Sequence, residues 1–200
     1  MTAPVSIVYT HVHSLRVAAG AEALVARVLL ADGTAGFGFT LNLEAAVARD
    51  MAAWDALGRS KGLPLCGLLG GSIRKKANLV KDENPCIPPD WTELRKDILA
   101  GRRELLRIDP FAWGSVEMVQ TIAAVAAAVD LGIALFAPNS HPWEIQYCAA
   151  LAATLKGEDT KIMLRSTPPV ATVSVSEIPG IGIDWTQEEG FARIRWQGPA

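Results

Sequence analysis

The sequence predicts an α/β protein with an α+β part ahead of it. Three observations predict this class. The first 40 residues carry β-type segments with a turn signal, residues 43–57 carry a helical apolar period, and beyond a Gly- and Pro-bearing connector short apolar runs alternate with helical patterns. Strands that alternate with helices argue for parallel βαβ units. About four such strands can be counted, whereas a closed (β/α) barrel requires eight, so the expectation is an incomplete barrel.

The elements follow in order. Residues 5–17 mix β-branched and aromatic residues, and residues 23–40 read as two further strands around a turn at Ala31-Asp32-Gly33, which makes an antiparallel meander. Asn42 is the expected N-cap of a helix in which Leu43, Ala46, Val47, Met51, Trp54 and Leu57 recur at helical spacing, ending near Gly58 or Gly62. The segment 62–71 is a connector. Beyond it we read strands at 77–80, 104–108, 133–137 and, weakly, 161–164. Helices are read at 91–100, at 115–129 and from Pro142, where the missing N–H costs nothing. Residues 156–179 read otherwise as loop, because Gly157, Pro168, Pro169 and Pro179 fall there, and residues 181–196 alternate enough to predict a final strand pair.

Composition sets bounds. A chain of 200 residues with 50% hydrophobic and 20% charged residues can bury a sizeable core. A formal charge of −2, with the short Arg74-Lys75-Lys76 cluster as the one basic run, gives no stripe for nucleic acid. The most apolar run, 122–137, is too short for a membrane span and is broken by Asp130 and Gly132. Cys66, Cys86 and Cys148 are odd in number and widely spaced, which suggests neither a disulfide framework nor a metal-binding Cys-x-x-Cys, and a reducing cytoplasm is the expected location. No nucleotide fingerprint, phosphate loop or nucleophile elbow is present. His11 and His13 would share one strand face, which permits a metal site in principle, but without a nearby Cys or carboxylate partner they read as two exposed strand histidines.

Four blocks in order carry a family resemblance: 28–38 in the meander; Ala53 to Gly71 in the helix and connector; Leu106 to Ser115 with Gly132 to Trp143; and Pro179-Gly-Ile-Gly-Ile-Asp-Trp185. Together they resemble the enolase superfamily, in its mandelate racemase and muconate lactonising enzyme branch, in shortened form. The resemblance implies a capping-domain-like meander plus helix over residues 1–71, a partial barrel over 72–165, and a C-terminal segment over 166–200 that returns to the capping part. It also implies magnesium-assisted abstraction of a proton next to a carboxylate, in which the cation holds the developing charge while a positioned base takes the proton.

Carried over residue by residue, that site is largely incomplete. Glu83 stands where the family's Glu-x-Pro motif places a metal carboxylate, or else belongs to a solvated acidic turn. The other two metal carboxylates have no clear counterpart, Glu104 being the nearby candidate for one, and no Lys-x-Lys base motif is present. Asp109 matches the aspartate that would orient the catalytic histidine; Asn139 fills that histidine's place; His141, two residues on, is either a relocated base or the cap of the helix that Pro142 starts. Trp113 and Trp143 flank the same region and read as packing.

Two functions from different classes follow from the resemblance. One is a residual acid-sugar dehydratase or racemase that uses magnesium. The other is a non-catalytic remnant, oligomeric or binding a small carboxylate or acid sugar. Open strand edges make a homo-oligomer the expectation in both cases.

Overall fold

The computed structural model describes residues 5–17, 22–42, 44–71, 74–82, 91–101, 105–156, 160–187, 191 and 194–196. It divides into two compact units, one of Met1–Leu69 with Ser176–Ala200 and one of Gly70–Val175.

In the first unit β1 (Ile7–Arg16), β2 (Glu22–Leu30) and β3 (Ala35–Thr40) form an antiparallel sheet in that order. Its tight turn is closed by Gly33 at φ +85 and by the Asp32 carboxylate, which accepts from Thr34 N at 2.8 Å. Strand alternation sends Ala26, Val28 and Leu30 to one face, where they pack on Ala48, Ala52 and Ala56 of α1 (Ala45–Lys61). Helix and sheet approach so closely that a Cβ at Gly36 would stand 2.1 Å from Ala56 N, and one at Gly38 2.2 Å from Ala48 O. The helix stops at Gly62, left-handed at φ 65. Its N-cap is Glu44 rather than Asn42, and Glu44 makes no side-chain cap. Asn42 instead closes the turn before the helix, its Oδ1 accepting from Glu44 N at 3.1 Å and from the Thr40 hydroxyl.

The C-terminal segment completes this unit. Gly180 donates to Leu63 O at 3.0 Å and accepts from Leu65 N at 2.7 Å, at the start of α2 (Leu65–Leu68). Asp55, 0% exposed, ties three pieces together: its carboxylate accepts from Phe37 N at 2.8 Å, Arg59 Nε at 2.6 Å and Ile181 N at 2.9 Å. On the sheet face away from α1, Phe37 meets Phe191 at 4.9 Å and Trp196 at 5.5 Å, and Trp185 stacks on Phe191 at 5.0 Å. The strand pair expected in this tail is absent among the described residues. A 3₁₀ turn at Trp185–Gln187 stands there instead, because the tail's apolar residues are spent on an aromatic sheet face and not on a ladder.

The second unit holds β4 (Lys76–Lys81), α3 (Trp91–Leu99), β5 (Leu105–Ile108), α4 (Pro110–Trp113), α5 (Val116–Ala127), β6 (Gly132–Ala137), α6 (Pro142–Ala152), β7 (Lys161–Leu164) and β8 (Thr172–Ser174). The strand order is β5-β6-β7-β4-β8; the first four run parallel and β8 pairs antiparallel with β4. The four expected parallel strands are present in an open sheet. β8 lies in a stretch read as loop, since three residues cannot show a period and the strand exists through the pairing of Val173 with Ala77.

This sheet is curved. Three strand steps separate β5 from β4, about 14 Å across a flat sheet. Yet Arg107 Nη2 on β5 lies 2.8 Å from Asp82 Oδ2, one residue beyond β4. Side chains stand roughly perpendicular to a sheet, so the pair meets across a concave face.

Candidate functional site at the strand ends

The C-terminal ends of β5, β6, β7 and β4 carry the polar groups of the second unit. The strand register places Arg107 beside Ala134, Phe136 beside Met163, and Met163 beside Val80, so these share the concave face. Ala134, Phe136, Met163 and Val80 form its apolar floor. Arg165 sets its guanidinium 5.9 Å from the Phe136 ring centroid. The loop leaving β6 is stitched to the end of β7 by Ser140, at φ 53, whose hydroxyl accepts from Arg165 N at 3.0 Å and Ser166 N at 3.3 Å.

Asp109 is the N-cap of α4: its Oδ1 accepts from Phe111 N at 2.9 Å and Ala112 N at 3.1 Å, and Pro110 opens the helix. Burial pushes its carboxyl above the ordinary aspartate range, while the two N–H donors and the nearby Arg165 pull the other way. His141 caps α6, with Nδ1 accepting from Trp143 N at 3.3 Å. An Nδ1 that accepts requires the neutral ring's proton on Nε2, so the imidazole presents a donor and not a base at that nitrogen. Asn139 donates through N and Nδ2 to Glu144, each at 2.8 Å, and His141 N donates to the same carboxylate at 3.4 Å. Glu83 lies outside the described residues.

Glu144, Arg107, Asp82 and Arg165 were not singled out in the sequence. Glu144 had a signal, three residues after a cap and just inside a proline-opened helix, which is capping-box spacing. Arg107 had one too, as a lone charge between the buried Leu106 and Ile108. Glu144, 1% exposed, is held above the usual glutamate range by burial, against its three donors, with the Asp109 charge adding to the rise. Burial and the same two carboxylates push the Cys148 thiol well up, so it stays protonated and is no nucleophile.

These shifts have a stability consequence. A carboxyl whose folded-state pKa is raised stabilises the fold fully below the unfolded-state value, and that stabilisation is lost as pH rises through the folded value. Asp55, Asp109 and Glu144 are all raised. The urea midpoint is therefore expected to climb as pH falls from neutral into the ordinary carboxylate range. Glu144→Gln should flatten part of that climb at little cost, since Asn139 can turn its amide to accept from the new NH₂. A slope identical to wild type would remove Glu144 from the account.

The described donors do not fit magnesium. The ion takes oxygens in near-octahedral geometry. No group of three or more His, Cys, Asp or Glu that could hold a metal is found among the described residues, and Asp109 and Glu144 already turn oxygens to backbone N–H groups. What the mouth does offer is two guanidiniums beside an apolar floor, Arg107 held by Asp82 and Arg165 over Phe136.

No protein-family model matches the chain, and no curated protein matches it. Solved structures do match in fold. An enolase from Pseudomonas fluorescens with bound magnesium, potassium and tartrate has 12% identity and a TM-score of 0.68, over 90% of this chain and 90% of that one. A racemase from Streptomyces coelicolor with bound magnesium has 13% identity and a TM-score of 0.67, over 94% and 100%. A mandelate racemase/muconate lactonizing enzyme from Bordetella bronchiseptica has 11% identity and a TM-score of 0.64, over 90% and 97%. The chain thus has the fold seen in the mandelate racemase and muconate lactonising branch of the enolase superfamily, with an open parallel sheet among its described residues.

Proposed function

We propose that this chain, which has the enolase-superfamily fold, descends from that superfamily and binds a small carboxylate or acid sugar at its strand-end mouth without running magnesium-assisted proton abstraction. The observation that carries the reading is the pairing of Arg107 with Asp82 across the concave face, 2.8 Å apart. It sets a fixed guanidinium, which can grip a carboxylate through two parallel N–H donors, above an apolar floor. Two features argue against retained chemistry: Asp109 and Glu144 are committed to capping, and His141 turns its basic nitrogen to Trp143 N. A neighbour in fold carries tartrate, which is the ligand class the mouth suits.

Titration calorimetry with tartrate and a panel of acid sugars, with and without Mg²⁺, tests this. Carboxylate binding is expected in metal-free buffer, weakened tenfold or more in Arg107→Met, as loss of about 1.4 kcal/mol or more of charged hydrogen bonding implies. Turnover that requires Mg²⁺ and disappears in Glu83→Gln would overturn the proposal in favour of an acid-sugar lyase or isomerase. The reading also includes self-association through the open β5 edge, which sedimentation of the same samples reads out.

A further inference from the structure

Two of the chain's three histidines, His11 and His13, sit two residues apart on β1, and strand alternation places both rings on the sheet face away from α1. Their ring centroids are 6.4 Å apart, and both rings are half-buried rather than exposed. Trp196 from the C-terminal segment packs against both, edge-on to His11 at 5.9 Å and against His13 at 6.5 Å. Nδ1 of His11 is buried without a hydrogen-bond partner. A buried polar nitrogen left without a partner costs about 1–3 kcal/mol, so Nδ1 of His11, with a second imidazole beside it, asks for a ligand.

We propose that His11 and His13 form a two-histidine site for a borderline transition-metal dication, Cu²⁺ foremost and Zn²⁺ after it, with Trp196 as its cover. Neutral imidazole is the ligand these ions prefer, and affinity for nitrogen sites rises to Cu²⁺ along the divalent series. The spacing agrees. With a metal–nitrogen bond of about 2.1 Å, two rings on one ion stand roughly 5 to 6 Å apart, which a small χ adjustment from 6.4 Å reaches. Arg27 lies opposite His11 across the β1–β2 pairing, and its charge opposes any cation. That selects ions whose bonding to nitrogen outweighs the repulsion and rejects Mg²⁺, which prefers oxygen. Two protein ligands leave the remaining positions to water or a small exogenous donor, so the ion exchanges readily. The site stands on the first unit's residues alone and does not depend on the carboxylate-binding proposal.

Titrating Cu²⁺ into tag-free full-length protein, followed by tryptophan fluorescence and by electron paramagnetic resonance, tests it. A saturable quench is expected at one Cu²⁺ per chain, reversed by excess Zn²⁺ and untouched by Mg²⁺, with nitrogen hyperfine structure in the resonance. His13→Gln should weaken binding about tenfold or more, as loss of one of two imidazoles requires. Trp196→Phe should lose part of the quench while the resonance signal keeps its midpoint. Should His13→Gln, folded by circular dichroism, bind Cu²⁺ with wild-type midpoint and spectrum, the site is overturned; quenching without saturation overturns it equally.

Discussion

Gly38→Ala is expected to unfold the first unit or lower its melting point by 10 °C or more, on the order of a 3 kcal/mol loss in a domain of this size. The added Cβ would lie 2.2 Å from Ala48 O, 2.5 Å from Ala52 N and 2.6 Å from Met51 Cβ. Two of these atoms belong to the helix backbone, so no rotamer change relieves them and α1 must lift off the sheet. Lifting it loosens the contacts among Ala26, Val28, Ala48, Ala52 and Ala56, all at 0% exposure. Against a total stability of roughly 5–15 kcal/mol, that loss is decisive. The control is Gly33→Ala, where nothing lies within 4 Å of the added Cβ and the positive φ alone costs about 1 kcal/mol. Equal melting points for the two variants, read by circular dichroism, would mean that α1 does not ride on β3 as closely as described.

Asp55→Ala is the second large effect, expected to cost about 3–5 kcal/mol and to free the C-terminal segment. Removing the carboxylate strands three donors at once: Phe37 N, Arg59 Nε and Ile181 N. The cost exceeds that of an ordinary ion pair because Asp55 is fully buried, and burial is what holds its pKa above the usual range despite Arg59. Limited proteolysis should cut residues 181–196 in Asp55→Ala well before wild type. Asp55→Asn should fall between them, since an amide supplies one acceptor where a carboxylate supplies two. An unchanged cleavage pattern in Asp55→Ala would show that the tail is held by its aromatic contacts alone.

Much of the architecture was legible because its signals are periodic and local. The meander is read from β-branched alternation with Gly33 at its turn, α1 and α5 from helical spacing, and α6 from Pro142. What escaped depends on partners distant in sequence. β8 is a strand because Val173 meets Ala77, and the tail is a 3₁₀ turn and aromatic cover because Phe37 and Phe39 await it on the sheet. At the strand ends, the family pattern points to Asp109, Asn139 and His141 as candidates, but Glu144, which binds Asn139 and His141, and Asp82, which reaches Arg107 across the sheet, become meaningful only once the sheet curls.

The strand order β5-β6-β7-β4-β8 also bears on how the chain reaches its fold. β4 waits for β7, some eighty residues later, before it has a neighbour, and the first unit's helix waits for Ile181 to satisfy Asp55. Both units are therefore closed by the last quarter of the chain. During synthesis, the three-stranded meander with α1 can assemble early, but its aromatic face and the β4 edge stay open until residues beyond 160 emerge. Pairings at such long separation bear a large loop-closure entropy and form slowly. Slow closure with open edges makes the nascent chain, more than the finished protein, the species most exposed to aggregation and most in need of chaperone cover.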